Sequence, residues 1–177
     1  DHGHVQIHLG EDGEFILQVG VPETGTGSTT IYAQLAAEEL GIESSRVRVQ
    51  TGDTDLAPYD QGAHSSRTTY VAGGAVQNAA AVIKDEILDA AGEMLEARPG
   101  DLEFEAGTVL VKGAPGTAVP VAKIAHWLRY ESDRPRHLSA EGSNVPTNVA
   151  PPYAISVAEV SIEPETGRLK VEDLTLA

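Results

Sequence analysis

A glycine-rich segment that joins a predicted strand to a predicted helix places the strongest constraint on the fold of this chain. The segment covers residues 20–30 (GVPETGTGSTT) and leads into a helical pattern over residues 31–40, which Gly41 ends. Small residues at a helix start allow unpaired peptide N–H groups and the positive end of the helix dipole to approach an anion. The segment therefore predicts a phosphate-binding loop, or else a helix that is simply capped by Ser28 or Thr29.

A second segment of the same kind covers residues 51–69. It follows an alternating strand pattern at residues 46–50 and opens a long helix from Val71, in which apolar residues recur with a period close to 3.6. Serine and threonine hydroxyls again lie at the helix start. Two such helix starts in one chain favour a phosphorylated ligand that both loops hold.

Arg67 gives this second segment its positive charge, and no other Lys or Arg lies between Arg48 and Lys84. One interpretation is that Arg67 and the neighbouring hydroxyls hold a phosphate or a diphosphate. The other is that Arg67 pairs with an aspartate of the same segment and merely fixes the loop. The candidate aspartates are Asp53, Asp55 and Asp60.

The charge balance and the composition exclude several classes of function. The chain has 177 residues, 27 acidic and 12 basic side chains, a net charge of −15 and no cysteine. Nucleic acid and anionic membranes are poor partners, because phosphate neutralisation needs clustered lysine and arginine. No apolar run approaches the ~18 residues of a membrane span. Disulfides and thiolate metal sites are excluded, and a cytoplasmic location is expected.

The order of the predicted elements indicates the fold class. Strands and helices alternate so as to predict an α/β (α+β) fold of two layers, in which mixed sheets pack against helices on one side. The first two strands form a hairpin, and Gly73-Gly74 with the following alanines indicates that the long helix begins close to another backbone. Further strands are expected at residues 102–111, 137–140, 155–163 and 168–176, and a short helix at 121–128. One domain over residues 1–177 is expected, or two small lobes split near residue 100.

Three histidines, His2, His4 and His8, lie in the first strand pattern. A His-x-His pair on a strand points both rings to one face, which could hold a metal. A polar face on an edge strand, or a frayed terminus, is the favoured alternative. We therefore expect no metal ligand in this chain.

The familiar phosphate and hydrolase motifs do not match. The Gly25-Thr26-Gly27 sequence lacks the Gly-Lys-Ser/Thr ending of a P-loop, and it lacks the third glycine and the acidic residue of a dinucleotide fingerprint. His64 beside two serines does not by itself indicate a catalytic triad, since triads assemble in space.

Motifs along nearly the whole chain resemble those of one enzyme family, the molybdenum hydroxylases of the xanthine oxidase and aldehyde oxidase type. The matching segments are residues 20–42, 47–58, 62–76 and 158–167. The resemblance implies a region of the second molybdopterin-binding part of the large subunit, whose two loops embrace the pyranopterin and its phosphates. The residues that it implies for cofactor binding are Gly25, Thr26, Gly27, Ser28 and Thr29 in the first loop, and Ala63, His64, Ser65, Ser66, Arg67 and Thr68 in the second.

The same resemblance sets expectations for the chemistry. It implies a molybdopterin cofactor, which in bacterial-type enzymes often carries a cytosine dinucleotide, in an oxidoreductase that hydroxylates aldehydes or N-heterocycles. Iron–sulfur clusters and FAD are implied only on other domains or subunits, and partners are the remainder of the molybdenum-binding subunit and iron–sulfur or flavin subunits. The family's catalytic glutamate lies beyond Ala177, so no catalytic residue is expected here and the isolated chain is expected to be inert.

Two points remain open at the level of sequence. The family's frequent glutamine between the two glycines is Thr26 in this chain, which has a shorter side chain and reaches less far towards the metal. Glu23 is not assigned the role of the catalytic glutamate and is expected to brace its own loop. The alternative function is a non-catalytic binding or subunit-interaction module that holds another anionic ligand.

Overall fold

The computed structural model describes residues 2–148 and 153–177. The chain divides into two compact units, Asp1–Thr147 and Asn148–Ala177. Residue 100, where the sequence allowed a split into two lobes, lies inside the first unit. Among the residues described, none of the helices combines the length and the apolar character that a bilayer span requires.

The first unit contains two sheets and three helices. Its strands are β1 (Gly3–Leu9), β2 (Phe15–Val19), β3 (Val47–Thr51), β4 (Leu102–Glu105), β5 (Thr108–Val111), β6 (Ala114–Pro120) and β7 (Ser139–Asn144). Its α-helices are α1 (Ser28–Leu40), α2 (Gly73–Leu95) and α3 (Val121–Tyr130). The larger sheet has the strand order β3-β2-β1-β7, and the smaller one the order β4-β5-β6. The expected fold class, mixed sheets packed against helices, is confirmed.

Strands β2 and β3 are parallel and are joined through α1, so they form a β-α-β unit. Val19 of β2 pairs with Thr51 of β3, which brings the ends of the two strands to the same edge of the sheet. Ligands of open α/β sheets bind at the carboxyl ends of such strands. The two glycine-rich segments therefore both leave the sheet at this edge.

The sheet buries one face against the helices. On β1 and β2 every second side chain is fully buried, and these residues are Val5, Ile7, Phe15, Leu17 and Val19. Helix α2 crosses this face through small residues, and a Cβ atom on Gly142 of β7 would lie 2.1 Å from the carbonyl oxygen of Ala75. The close backbone approach that the glycines and alanines predicted at the start of the long helix is confirmed.

The opposite face of the sheet is mostly polar, and β1 is an inner strand of the sheet and not an edge strand. The edge position favoured by the sequence is therefore wrong, because β7 pairs with β1 from far along the chain. His4 Nδ1 lies 3.0 Å from the hydroxyl of Ser143, and His8 Nε2 lies 3.1 Å from Oε1 of Gln18. The histidine side chains thus take part in cross-strand hydrogen bonds.

Two strands differ from the sequence expectation. The hairpin of β4 and β5 is confirmed, but the neighbouring Ala-Pro-Gly sequence forms a third strand, β6, although it is typical of a turn. Strand β7 begins at Ser139, two residues later than the expected strand at 137–140, and extends to Asn144. Its sequence, SAEGSN, has little of the apolar alternation that marks a strand. The strand packs closely on α2 because Gly142 has no side chain.

The second unit is an antiparallel hairpin of β8 (Ser156–Ile162) and β9 (Leu169–Leu176). In its turn the Glu163 N–H donates to the Arg168 carbonyl at 2.9 Å, and the N–H of Gly167, which has a φ of 68°, donates to the Glu163 carbonyl at 2.8 Å. The hairpin that the sequence predicted is confirmed. Residues 131–152 were expected to be mostly loop, and residues 149–152 of this segment lie outside the described residues.

Candidate functional site

The first loop is organised around the carboxylate of Glu23. One carboxylate oxygen accepts hydrogen bonds from the peptide N–H groups of Gly25 at 2.6 Å and Gly27 at 3.1 Å. The other accepts from the Ser28 hydroxyl at 2.7 Å and from the Thr29 N–H at 3.2 Å. The carboxylate therefore occupies part of the anion-binding position at the start of α1. The expectation that Glu23 braces its own loop is confirmed.

These hydrogen bonds determine the acidity of Glu23. The Ser28 hydroxyl, followed by the peptide N–H groups of Thr29, Gly27 and Gly25, lowers the pKa of the carboxyl from 4.5 to about 2, against a smaller opposing effect of desolvation. Each of these donors stabilises the ionised form. Glu23 is therefore a fixed negative charge under ordinary conditions.

The loop needs glycine at two positions for reasons of backbone geometry. Gly25 has a φ of 91° and Gly27 a φ of 77°, a region that other residues rarely adopt. Of the residues that the structure describes, none lies within 4 Å of a Cβ atom placed on either glycine, so they leave open space beside the loop. Helix α1 begins at Ser28, earlier than the sequence indicated. Its N-cap residue is Gly27, so neither Ser28 nor Thr29 caps the helix.

The second loop presents hydroxyls from a constrained backbone. Ser65 and Ser66 have φ values of 50° and 59°, in the left-handed region, and both side chains are exposed. His64 is also exposed, and its Nδ1 lies 3.2 Å from the Ser65 hydroxyl. A left-handed serine costs conformational free energy and is found mainly where the surrounding structure requires it, often at functional sites.

Immediately after these serines the chain enters a π-helical turn, Thr68–Ala72, before α2 begins at Gly73. Turns of this kind are rare in proteins, and those that occur are often found at functional sites. Two long-range side chains bind its carbonyl groups. The Tyr32 hydroxyl donates to the Thr68 carbonyl at 2.9 Å, and Asn144 Nδ2 donates to the Val71 carbonyl at 3.1 Å.

Arg67 is fully buried, in contrast to its exposed neighbours. Its guanidinium forms an ion pair with Asp60 and donates at 2.8 Å to the carbonyl oxygens of both Gly62 and His2. Of the two interpretations of Arg67, the structure shows the ion pair with an aspartate of the loop. Among the described residues, Asp60 Oδ2 and Arg67 Nε have no hydrogen-bond partner.

Tyr32 connects the two loops. Its buried ring lies on α1, its hydroxyl binds the second loop at Thr68, and the carboxylates of both Asp60 and Glu23 influence its acidity. Burial is the main cause that raises the pKa of this phenol, and the Asp60 carboxylate adds to it. The two glycine-rich segments are thus neighbours in space. No pattern in the sequence indicated Tyr32, because an aromatic residue on a helix is ordinarily part of the core.

A cavity of about 490 Å³ lies beside the loops, at the ends of β2 and β3. Its lining includes Gly20, Gly52, Tyr59 and Asp60, and the side chain of Tyr59 is 85% exposed. The eleven residues predicted to bind a cofactor are not among the described residues that line it. The cavity is therefore adjacent to the predicted loops and is not formed by them.

The residues that are present fit a large phosphorylated ligand through neutral donors. Thr26, Ser65 and Ser66 are exposed and carry hydroxyl groups, while the charges of Glu23 and Arg67 are bound within the chain. Neutral hydrogen-bond donors in turns can cradle anions without a lysine or arginine contact. The two loops can therefore hold a cofactor by shape and hydrogen bonding.

Comparison with known proteins identifies the family to which this chain belongs. A sequence model of the molybdopterin cofactor-binding domain matches residues 1–177. The carbon monoxide dehydrogenase large chain of Afipia carboxidovorans is 35% identical over 173 residues, covering 96% of this chain and 21% of that protein. The xanthine dehydrogenase molybdenum-binding subunit of Escherichia coli O157:H7 is 33% identical over 160 residues, covering 89% of this chain and 21% of that protein.

The solved structures agree with the sequence comparisons. Quinoline 2-oxidoreductase from Pseudomonas putida 86 superposes with a TM-score of 0.84 and 26% identity, covering 99% of this chain and 23% of that one. The chain thus spans about a fifth of the length of the curated relatives it matches. On this evidence the chain belongs to the molybdenum hydroxylase family, as part of the molybdopterin cofactor-binding domain of its large subunit.

Proposed function

We propose that this chain holds the molybdopterin cofactor between its two glycine- and serine-rich loops, residues 25–29 and 63–68, within a molybdenum-dependent hydroxylase. The observation that carries the proposal is that both loops leave the same edge of the β2–β3 pair and are tied together by Tyr32. A clamp requires two neighbouring loops with free donors. Here both loops are exposed and held at their bases by buried groups.

The residues of the clamp divide into contacting and positioning groups. The hydroxyls of Thr29, Ser65 and Ser66, with the peptide N–H group of Thr26, donate hydrogen bonds to the pterin and its phosphates. Glu23 acts by holding Gly25 and Gly27 in the left-handed conformation. The clamp needs no net positive charge to bind phosphate, because neutral donors that point at the phosphate oxygens bind them by hydrogen bonds.

Arg67 belongs to the clamp as a positioning residue. It binds Asp60, Gly62 and His2 at the same time, so it fixes the loop that precedes Ser65 to the start of the chain. A planar guanidinium with several donors suits this role better than a lysine. Ala63, His64 and Thr68 complete the loop, whose backbone conformation Arg67 maintains.

The cofactor supplies the water activation and two-electron redox chemistry of hydroxylation when it is bound. This chain contributes binding, orientation and shielding, and none of its residues is assigned a catalytic role. We infer substrates among the aldehydes and N-heterocycles, a cofactor of the cytosine dinucleotide form, and a cytoplasmic location. Iron–sulfur clusters and FAD are placed by this proposal on other domains or subunits of the complex.

The test uses a matched pair of double variants in the complete enzyme. The second loop contains Ser65 and Ser66 followed by Arg67, and the exposed turn before β3 contains Ser44 and Ser45 followed by an arginine. Ser65→Ala/Ser66→Ala removes two proposed hydrogen bonds of ~1 kcal/mol each, which weakens cofactor binding about thirtyfold. Ser44→Ala/Ser45→Ala serves as the control.

The measurement is molybdenum and pterin content per folded subunit, with thermal unfolding as the check on the fold. We expect the Ser65/Ser66 variant to lose cofactor while its melting temperature without cofactor stays that of the control. Equal cofactor retention in both variants would contradict the clamp. That result would favour the second candidate, a non-catalytic binding or subunit-interaction module for another anionic ligand.

A further inference from the structure

The hairpin of the second unit has one face that is apolar except for Ser156. Directly opposed residues of an antiparallel pair lie on the same face of the ribbon. The register pairs Ala158 with Leu174, Val160 with Val171, and Ile162 with Leu169, and Leu176 lies opposite Ser156. We name these side chains the apolar hairpin face: Ala158, Val160, Ile162, Leu169, Val171, Leu174 and Leu176.

A β-bulge produces this face. Leu169 and Val171 have odd positions and Leu174 and Leu176 even ones, so a regular strand would divide them between two faces. The register shifts between Glu159 and Val160, where β9 contains one extra residue, and all four side chains then point the same way. The bulge therefore preserves an apolar surface that a regular ladder would lose.

The other face of the hairpin is mostly polar, and Val157 is an apolar residue on it. Glu159 pairs with Asp173 and Ser161 with Lys170, while Glu172 accepts hydrogen bonds from the side chains of Lys170 at 2.6 Å and Ser161 at 2.7 Å. Lys170, followed by Ser161, lowers the pKa of the Glu172 carboxyl. Only one side of this ribbon is suited to burial.

The large side chains of the apolar hairpin face are all exposed in the described structure, from 45% for Val160 to 71% for Leu176. A two-stranded hairpin is marginally stable in water unless a further layer covers its apolar side. Large contiguous apolar surfaces on soluble proteins mark contacts with other polypeptide. The hairpin thus requires a covering layer.

We propose that the apolar hairpin face packs on the remainder of the molybdenum-binding polypeptide, as an internal layer of the same subunit. This step rests on the proposed function, in which the chain is part of a subunit about five times its length, as in relatives of which it covers 21%. Apart from Ser156 the face is aliphatic, like a domain core, whereas interfaces between separable subunits mix polar and aromatic residues. A second copy of the chain is disfavoured, since residues 153–177 carry five acidic and two basic side chains and like charges repel.

The absence of cysteine from this chain allows a direct test by thiol labelling. Val171→Cys places a reporter on the apolar hairpin face, and Thr175→Cys places the matched control on the polar face of the same strand. The alkylation rate of each peptide is measured by mass spectrometry in the complete subunit, relative to its rate in denaturant. Leu174→Cys repeats the measurement should Val171→Cys fail to fold.

We expect the Val171→Cys thiol to react about tenfold more slowly than the Thr175→Cys thiol in the complete subunit alone, since buried sites react only after local opening. Equal rates would overturn the proposal. Protection that appears only on assembly with other subunits, or only at high subunit concentration, would assign the face to another subunit or to a second copy and would also overturn it. The labelling is read in the absence of cofactor, so a failure of the clamp leaves this result unaffected.

Discussion

The guanidinium of Arg67 and the carboxylate of Asp60 form an ion pair closed to solvent, with side chains that are 0% and 2% exposed. The pair joins the loop after β3 to the start of α2, and the same guanidinium binds the carbonyl of His2. Three parts of the chain thus converge on one buried charge. The shape of the second loop depends on this contact.

Removing one partner of this pair should destabilise the protein strongly. Arg67→Met leaves the Asp60 carboxylate buried without its counter-charge, at an expected cost of about 3–5 kcal/mol. Urea unfolding measures the loss, and the Arg67→Met/Asp60→Leu double variant should recover part of it. Arg46→Met is the control, because Arg46 and Glu14 form a half-exposed pair worth about 1 kcal/mol or less. Equal losses of unfolding free energy in Arg67→Met and Arg46→Met would contradict the claim that burial makes the Arg67–Asp60 pair the more important one.

The Glu23 carboxyl should make stability depend on pH in the acid range. Its pKa falls from 4.5 to about 2 in the folded protein, so its contribution is complete above pH 4.5 and is lost as the pH falls towards 2. Glu23→Gln should lower the melting temperature above pH 4.5, and the difference from the wild type should shrink towards pH 2. Glu103→Gln, an exposed substitution on β4, should show no such convergence. A difference for Glu23→Gln that is constant with pH would refute the assignment.

Gly142 should tolerate no side chain. A Cβ atom there would lie 2.1 Å from the Ala75 carbonyl oxygen and 2.4 Å from the Ala79 nitrogen, both of which belong to the backbone of α2. Gly142→Ala must therefore move β7 away from the helix, at about 1–3 kcal/mol. Gly116→Ala on β6, where a Cβ would meet nothing within 4 Å, should leave the free energy of unfolding nearly unchanged. Chemical denaturation of both variants decides the comparison.

Tyr32→Phe should weaken the contact between the two loops without emptying the core. The variant keeps the buried ring and loses only the hydrogen bond to the Thr68 carbonyl, so a loss of about 1 kcal/mol is expected. Tyr59→Phe provides the control, because this side chain is 85% exposed. If the two substitutions have the same effect on the unfolding midpoint, the Tyr32 hydroxyl has no structural role.

Local signals allowed part of the fold to be predicted from the sequence. Gly41 ends α1 as expected, with a φ of 69°, because only a residue without Cβ adopts that conformation readily. The hairpins and the long α2 helix also follow from short-range periodicity. By contrast, the pairing of β1 with β7 joins residues 3 and 144, and nothing in the sequence SAEGSN indicates that partner.

The candidate site was predictable at the level of segments. The order of the motifs indicated the family, and the positions of Gly25 and Gly27 indicated a tight loop. The sequence did not indicate that Arg67 pairs with Asp60. It also did not indicate that Tyr32 and Asn144 bind the π-helical turn, because these contacts join residues that lie far apart in the chain. Spacing in the sequence does not record such distances.

The pairing of β1 with β7 also sets an order of events during synthesis. Asn144, at the end of β7, binds carbonyl groups of Tyr70 and Val71, directly after the second loop. During synthesis those carbonyl groups lack this hydrogen-bond donor until the Asn144 side chain emerges from the ribosome, more than seventy residues later. The nascent polypeptide therefore completes the contacts after the second loop only once β2, α1 and β3 have had the chance to fold.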